Sequence, residues 1–270
     1  MLKDITLGQY FPGNTPIHRL DPRTKLILVI VYIVALFLAK GFVGYLVIIC
    51  FLGTVMAMSK IRPKTALKGI KPLIFIIILT GILNIFYTKG SEETLLVDWW
   101  IFTIYKEGVM NAIFMVLRIF LLIAGTFMLT YTTSPIALTD GLERLLQPLK
   151  KIRVPVHELA MMMGIALRFI PTLIEETDKI MSAQKARGAD FETGNLIQRA
   201  KALVPILVPL FVSAFRRAEE LALAMECRCY HGGEGRTRMK QLHFHGGDFF
   251  AFGIGTALLA AMIVLRHFGL

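Results

Sequence analysis

The sequence has few cysteines, and none is placed to form a structural disulfide. Of the three, Cys50 lies within an apolar run, while Cys227 and Cys229 are too close along the chain for a sound disulfide. This pattern excludes the disulfide-rich scaffold of a small secreted domain. Charged residues are also scarce, at 18% against 55% hydrophobic residues, which is far from the usual balance of a soluble domain.

Recognisable catalytic and nucleotide-binding motifs are missing as well. The glycine-rich stretch 232–237 lacks the lysine and the spacing of a P-loop, and no predicted strand precedes it. His157-Glu158 lacks the second histidine of a zinc-protease motif. We therefore expect no ATP site, no bound cofactor and no catalytic residue in this chain, which is not predicted to be an enzyme.

A zinc site is the one metal hypothesis that the sequence raises, because thiolates and imidazoles are zinc ligands. Its candidate ligands are Cys227, Cys229, His231, His243 and His245. Their spacing matches no familiar zinc finger or ribbon, and cysteine also serves as a small apolar residue. The prediction is therefore that the chain holds no metal.

Long apolar runs dominate what the sequence does contain. A helix needs ~20 mostly apolar residues to cross the hydrocarbon core of a bilayer. The first run follows a polar leader, so we expect a membrane helix there and not a cleaved signal peptide. The fold class is therefore all-α, a polytopic membrane protein with cytoplasmic amphipathic helices. The five candidate spans are Leu26–Ala39, Phe42–Met58, Leu73–Thr88, Val109–Thr130 and Phe249–Leu265.

Charges between the runs predict one topology. The stretch 60–71 carries five bases and no acid, and the leader carries net +2, so both are expected in the cytoplasm. The stretch 89–107 carries net −2 and is expected outside. The formal net charge of +11 then reflects membrane orientation and not nucleic-acid binding. The predicted parts are a cytoplasmic leader (1–25), four transmembrane helices (26–131), a cytoplasmic or interfacial domain (132–247) and a last transmembrane helix (248–270).

One charge lies inside a predicted span. Arg118 is near the middle of the fourth run, where an unpaired charge is expensive. One hypothesis is a polar contact with a partner subunit or a conduction path. The other is an arginine that reaches the interface or is paired within the chain.

The segment after the fourth span is too charged to lie in lipid, although parts of it are apolar. Its longest apolar pieces are Leu159–Leu167 and Ala202–Phe215, and both are shorter than a span. We expect Pro205 and Pro209 to break the second piece. The pattern predicts amphipathic helices that lie at the membrane surface or pack on one another.

Two stretches of this segment are alike at an offset of 41 residues. The first ends in Ala186-Arg187-Gly188 and the second in Cys227-Arg228-Cys229, so that each carries an arginine between small residues. Glycines are expected just past the two helix ends, at Gly188 and at Gly232-Gly233. An arginine suits carboxylate recognition, but a cation near a helix C-terminus also complements the helix dipole, so a purely structural role is the alternative.

The leader and the two arginine-tipped units resemble those of a known family. Asp21-Pro22-Arg23-Thr24-Lys25 lies in the leader, Pro135 opens the cytoplasmic segment, and the two small–Arg–small motifs end its two units. The chain looks like the transmembrane T component of energy-coupling factor (ECF) transporters, the vitamin and metal importers of prokaryotes. The resemblance covers essentially the whole chain, and the paired motifs are its specific part.

The resemblance implies a non-catalytic scaffold in the cell membrane, with its N-terminus and coupling domain in the cytoplasm. It would link ATP hydrolysis by two ABC-type ATPase subunits to movement of a membrane-embedded, substrate-binding S component during vitamin uptake. ATP and Mg²⁺ would be bound by the ATPases. Helices around Val156–Ile174 and Ala202–Phe215 would contact the S component.

By analogy, each arginine tip would dock in a groove of one ATPase. Cysteines replace the alanine and glycine that the family more often has in the second motif, which puts the docking preference of that tip in question. The implied ATPase-coupling residues are Ala186, Arg187, Gly188, Cys227, Arg228 and Cys229. Further structural or coupling candidates are Asp21, Pro22, Arg23, Lys25, Arg118, Pro135 and Pro171.

Other functions remain open at this stage. The chain is alternatively a T component dedicated to a cobalt/nickel or biotin importer, since cargo recognition would lie in another subunit. A lipid-modifying membrane enzyme needs acids or histidines clustered at a membrane face, and the apolar runs hold almost none. A secondary transporter needs inverted repeats of spans, whereas the repeat here is cytoplasmic and not inverted.

Overall fold

The structure is a computed structural model of the 270-residue chain, and it describes residues 10–87, 95–99, 102–191, 195–233 and 241–268. The chain forms two compact units. Gly8–Gly141 together with Leu242–Leu270 make up one, which we call the bundle. The other is built mainly from Leu142–Gln241, and we call it the crossed-helix unit.

Helices make up nearly all of the regular structure in the described residues. In the bundle they are α1 (Pro16–Arg19), α2 (Pro22–Leu38), α3 (Gly41–Ser59), α4 (Pro63–Ile70), α5 (Ile74–Tyr87), α6 (Lys106–Thr132) and α10 (Gly246–His267). Helix α7 (Pro135–Leu146) leads from the bundle into the crossed-helix unit, which contains α8 (Val156–Ala186) and α9 (Leu196–Cys227). Short 3₁₀ segments at Lys71–Leu73 and Gln147–Ile152 precede α5 and follow α7.

The predicted spans fall on α2, α3, α5, α6 and α10, and the chain is a helical, multi-pass membrane protein. Four helices of the described residues are long and apolar enough to cross a membrane by length and composition alone, namely α3, α6, α8 and α10. Helix α8 is among them because its 31 residues extend well beyond the short apolar piece Leu159–Leu167. Its placement at the membrane surface stays a prediction.

The core of the bundle lies where α2 and α3 pack against α6 and α10. Leu36, Ile48 and Leu121 are almost fully buried there. The hydroxyl of Tyr32 donates to the carbonyl oxygen of Leu121 at 2.8 Å. A Cβ atom at Gly125 would collide with the Tyr32 ring, so only glycine lets α2 and α6 approach this closely.

One hairpin interrupts the helical pattern. Strands β1 (Leu95–Trp99) and β2 (Phe102–Tyr105) pair antiparallel between α5 and α6, with a register irregularity between Leu95 and Val97. The all-α prediction omits this hairpin. The residues are aromatic and aliphatic types with high β-propensity, but the two runs are too short to stand out beside the apolar spans.

Helix α9 continues through Pro205 and Pro209, so the prediction that these prolines break it is wrong. A proline lacks the N–H that would bond the carbonyl four residues earlier. For Pro209 that carbonyl belongs to Pro205, and the Gln184 side chain on α8 donates to it at 3.5 Å. A neighbouring helix thus supplies part of the missing hydrogen bonding. Helix α8 likewise continues through Pro171.

Candidate functional site: two arginine-tipped helix ends

The first arginine lies at the C-terminus of α8. Ala186 is the last helical residue, Arg187 is the C-cap, and Gly188 adopts a left-handed φ of +87°. The amide of Gly188 donates to Lys185 O at 3.0 Å, and that of Ala189 donates to Gln184 O at 3.0 Å. These two bonds form a Schellman motif, which satisfies carbonyls that the helix end would otherwise leave unpaired.

The second arginine ends α9 in the same way. Cys227 is the last helical residue, Arg228 is the C-cap, and Cys229 has a left-handed φ of +55°. The amide of Cys229 donates to Glu226 O at 2.8 Å, and that of Tyr230 donates to Met225 O at 3.0 Å. The hydrogen-bond pattern matches the first tip position for position at the offset of 41 residues.

Backbone strain distinguishes the two tips. The left-handed position is occupied by Gly188 in the first tip, where it costs little, and by Cys229 in the second, where a Cβ atom is unfavourable. The sequence predicts that Gly232-Gly233 ends the second unit, and this prediction is wrong. Helix α9 ends at Cys227, before those glycines, because Cys229 adopts the left-handed conformation.

Both arginines project from exposed helix ends. Ala186, Arg187 and Gly188 are exposed, and so are the three residues of the second motif. Neither guanidinium forms an ion pair with a carboxylate of the described residues. Each tip is therefore a small protrusion whose planar donors are available to carboxylates or carbonyls of another molecule.

Helices α8 and α9 cross in an antiparallel sense. The Glu176 carboxylate accepts a short hydrogen bond from the Ser213 hydroxyl and pairs with Arg217 Nη2 at 3.1 Å. Further along α8, the Gln184 side chain reaches Pro205. Because the contact positions rise along α8 while they fall along α9, the two C-terminal tips extend to opposite sides of the crossing.

The ion pair between the two helices is placed symmetrically with respect to the tips. Glu176 and Arg217 are separated by 41 residues, which is also the offset between Arg187 and Arg228. Each member of the ion pair therefore lies 11 residues before the arginine of its own helix. At about 1.5 Å per residue this is roughly 16 Å, so the two arginines lie equally far along their helices from the ion pair.

The leader residues form a buried polar cluster in the bundle. Asp21 caps α2 by accepting from the Arg23 amide at 2.9 Å, and its carboxylate pairs with the Arg23 guanidinium at 2.8 Å. Burial alone would raise the pKa of Asp21, but the hydrogen bonds and charge of Arg23 outweigh it and hold that pKa below its usual value. The buried Lys25 Nζ donates to Thr132 O at 2.8 Å, which ties the start of α2 to the end of α6.

Asp248 completes this cluster and is missed by the sequence analysis. It is fully buried and accepts hydrogen bonds from the amides of Asp21 at 2.9 Å and His245 at 2.8 Å. The Arg23 guanidinium also donates to Leu242 O and stacks on the Phe244 ring. An aspartate at the third position of a helix is a capping-box signal that the sequence carries, but its pairing with the leader depends on the tertiary fold.

The prolines among the candidate residues lie at the first position of a helix or inside one. Pro135 is the first residue of α7, and the Ser134 hydroxyl caps that helix by accepting from the Ala137 amide at 3.3 Å. Pro22 opens α2 and lies against Gly141, where a Cβ atom would be 2.9 Å from the proline ring. None of these prolines or leader residues belongs to an arginine tip. The structure thus places these residues in roles that support the helices.

Arg118 is hydrogen-bonded within the bundle. Its Nε donates to the Tyr45 hydroxyl at 3.0 Å and its Nη2 lies 3.5 Å from Ala39 O. This geometry favours the internally paired arginine of the two sequence hypotheses. Within residues 10–87, 95–99, 102–191, 195–233 and 241–268, no three His, Cys, Asp or Glu side chains lie close enough to hold a metal ion.

Comparison with known proteins identifies the family. Residues 13–239 match the family described as "CbiQ: Cobalt transport protein". The chain belongs to the CbiQ family. A curated relative from Clostridium kluyveri, named energy-coupling factor transporter transmembrane protein EcfT, is 56% identical over 98% of both chains. Proteins of the same name from Ruminiclostridium cellulolyticum and Bacillus subtilis are 54% and 48% identical over 97–99% of each chain.

The CbiQ family match covers Asp21, Arg23 and Lys25 of the leader and both arginine tips, and it ends before Asp248. The curated relatives carry the name of a transporter transmembrane component and span almost the full chain. The resemblance seen in the sequence is therefore confirmed at the level of the family. The roles of the individual tip residues remain predictions.

Proposed function

We propose that the chain is the energy-coupling transmembrane subunit of an ECF-type importer. In this proposal Arg187 and Arg228 each dock in one of two ABC-type ATPase subunits on the cytoplasmic side. The chain itself performs no catalysis, and ATP with Mg²⁺ is bound by the ATPases. The micronutrient is recognised by a separate S component in the membrane.

The observation that carries this proposal is the equivalence of the two tips. A single exposed arginine at a helix end is common, because it complements the helix dipole. Two such arginines share one Schellman geometry and lie 11 residues after the two members of one interhelical ion pair. Such a pair of arms suits a partner that itself comes as two similar subunits.

The crossing supplies a mechanism for transmitting movement. When the ATPases close on nucleotide, the two docking grooves approach one another and carry the tips with them. Helices α8 and α9 are rigid arms, so the movement of their tips changes the angle at Glu176 and Arg217. This ion pair is partly exposed, at 21% and 38% of its side chains, so it constrains the angle only weakly.

An exposed apolar surface on the same two helices suits the S component. On α8, Met162 and Met163 are 54% and 39% exposed, and on α9 Phe211 and Phe215 are 59% and 68% exposed. Methionine side chains adapt to different surfaces because they are unbranched and flexible. A partner that reorients in the membrane could therefore slide across this surface.

The proposal is tested by the proteins that co-purify with the chain in mild detergent and by vitamin uptake in cells. We expect two ATPases and a small hydrophobic S component with the wild type. The double variant Arg187→Glu/Arg228→Glu should lose both ATPases and uptake, because each reversed charge repels the groove that the arginine enters.

Arg216→Glu is the matched control, since it reverses an exposed arginine on α9 away from the tip. It should retain both ATPases. Intact ATPase assembly in the double variant would contradict the docking role, and equal losses in the control would show that any charge reversal on α9 is disruptive.

A cobalt importer is a second candidate because the matching family is described as a cobalt transport protein. The same scaffold role would then serve a metal-specific partner. Uptake of labelled cobalt and of labelled vitamins in cells lacking this chain separates the two cargoes. Loss of cobalt uptake alone would favour the dedicated metal importer.

A further inference from the structure

A cavity of about 630 Å³ lies in the bundle. It is bounded by the turn between α2 and α3 and by the facing sides of α5 and α6. Because it lies beside the short loop 39–40, we call it the hairpin cavity. Its polar lining includes Lys40, Asn111 and Arg118, and its aromatic lining includes Phe37, Tyr45 and Phe114.

The hairpin cavity arises because the α2–α3 hairpin is short. Lys25 contacts Thr132 at one end of α2, and Ala39 contacts Arg118 just past the other. Both helices advance 14 residues between these contacts, which is about 21 Å and less than the ~30 Å hydrocarbon core. Helix α6 continues a further 12 residues beyond Arg118, to Lys106, so α6 extends past the hairpin turn.

The charge of this cavity is positive and uncompensated by the described residues. Arg118 uses Nε for Tyr45 and has only a long contact from Nη2, so guanidinium donors remain for another partner. Lys40 is exposed, and its side chain caps no helix. No carboxylate of the described residues lies within ion-pair distance of either group.

These features fit a phosphate with an apolar tail. Arginine and lysine together bind phosphate oxygens through charge-assisted hydrogen bonds. The Phe42 and Leu46 side chains on α3 are 66% and 61% exposed, and Phe42 packs edge-on against Phe114 of the cavity wall. We propose that the hairpin cavity binds the head group of an anionic phospholipid, with its phosphate at Arg118 and Lys40 and an acyl chain along this apolar surface.

Native mass spectrometry of the purified full-length chain, titrated with phosphatidylglycerol in detergent, tests this proposal. We expect one phosphatidylglycerol retained per wild-type chain, and weaker retention of phosphatidylcholine, whose choline adds a positive charge. Lys40→Gln should weaken phosphatidylglycerol binding about tenfold, the loss expected for one charged hydrogen bond. Arg118→Gln should weaken it at least as much.

Lys64→Gln is the matched control because it removes one charge from an exposed position outside the cavity. Lys40→Gln makes the test robust if Arg118→Gln fails to fold, since Lys40 holds no helix cap. Equal binding of both lipids, or equal losses in the Lys40 and Lys64 variants, would overturn the proposal. Competition by inorganic phosphate at the concentration of the lipid would overturn the assignment to a lipid.

A protein carboxylate is the other class of occupant. If the wild type retained no phosphatidylglycerol while Lys40→Gln released a co-purifying membrane subunit, the cavity would be a protein interface and the lipid proposal would be overturned. Because this experiment uses neither tip, its outcome is independent of whether the arginines dock in ATPases.

Discussion

Polar side chains join helices in both units of the molecule, but they are buried in the bundle and partly exposed in the crossed-helix unit. In the bundle, Asp21 and Asp248 are 5% and 0% exposed. Asp248 accepts from the backbone amide of Asp21, and the Asp21 carboxylate accepts from the amide and guanidinium of Arg23. At the crossing of α8 and α9, Glu176 and Arg217 are partly exposed and bond each other. A buried polar group without its partner is expensive, whereas a solvated one is not.

This difference separates a fixed part of the molecule from an adjustable one. The bundle cluster connects the leader, α6 and α10, and any relative movement would leave buried donors unpaired. The crossing tolerates movement because water replaces its hydrogen bonds at small cost. The coupling subunit proposed above would need both properties, a stable membrane part and helical arms that change their angle.

The largest effect is expected for Asp248→Ala. The change leaves the amides of Asp21 and His245 buried and unpaired, so the free energy of unfolding should fall by roughly 2–6 kcal/mol, at about 1–3 kcal/mol for each donor. The measurement is the thermal unfolding midpoint in detergent. Thr256→Ala, at an exposed position on the same helix, should change it little. An unchanged midpoint for Asp248→Ala would remove the contrast between the two units.

The next largest effect is expected for single substitutions at the two tips, which test each arm separately. Arg187→Ala and Arg228→Ala should each weaken retention of one ATPase by about 30-fold or more, the loss expected when a docked charge is removed from its hydrogen-bonded partner. Quantitative co-purification with both ATPases measures the two losses separately. Loss of the same ATPase in both variants would contradict the assignment of one arm to each.

The left-handed residues of the two tips should respond in opposite directions. Gly188→Ala is expected to destabilise the end of α8 by about 1 kcal/mol, because it puts a Cβ atom at a φ of +87°. Cys229→Gly should stabilise the end of α9 by a similar amount. The amides of Ala189 and Tyr230 bond carbonyls in the last turns of α8 and α9. Their hydrogen-exchange rates therefore measure the stability of the two helix ends.

Gly164→Ala is the control for these substitutions. Gly164 lies inside α8, and a Cβ atom there meets no neighbour within 4 Å. Alanine should therefore stabilise that helix by roughly 0.5–1 kcal/mol. If Gly188→Ala behaved like Gly164→Ala, the strain assigned to the second tip would be absent.

The sequence predicts the features that repeat along the chain. Each apolar run yields a helix, and the arginine motifs fall at two helix ends because small residues and a left-handed position follow the last turn. The 41-residue offset is visible in the sequence and reappears as the separation of Glu176 and Arg217. Local composition and spacing are sufficient for these conclusions.

The sequence does not predict features that depend on contacts between distant segments. Helix α9 passes through Pro205 and Pro209 with help from Gln184, which lies on another helix. Asp248 pairs with a residue 227 positions away. The left-handed conformation of Cys229 is also hidden, since glycine is the usual residue there and two glycines follow nearby.

The smallest effect is expected at the crossing itself. A double-mutant cycle of Glu176→Gln and Arg217→Gln should give a coupling energy of about 1 kcal/mol or less, because the pair is partly exposed and screened by water. The thermal unfolding midpoints of the two single variants and the double variant supply the cycle. Ser213 retains a hydrogen bond to the side chain at position 176 in each variant, so the cycle isolates the ionic contact.

A coupling energy above about 2 kcal/mol would be typical of a buried ion pair. It would contradict the claim that this ion pair constrains the angle between the helices only weakly. Transport adds a second test of the same comparison. Since the arms need a crossing point but no strong ionic bond, Glu176→Gln should retain both ATPases and most of the uptake. Loss of uptake with ATPases still bound would mean instead that the ion pair fixes the angle through which the arms transmit movement.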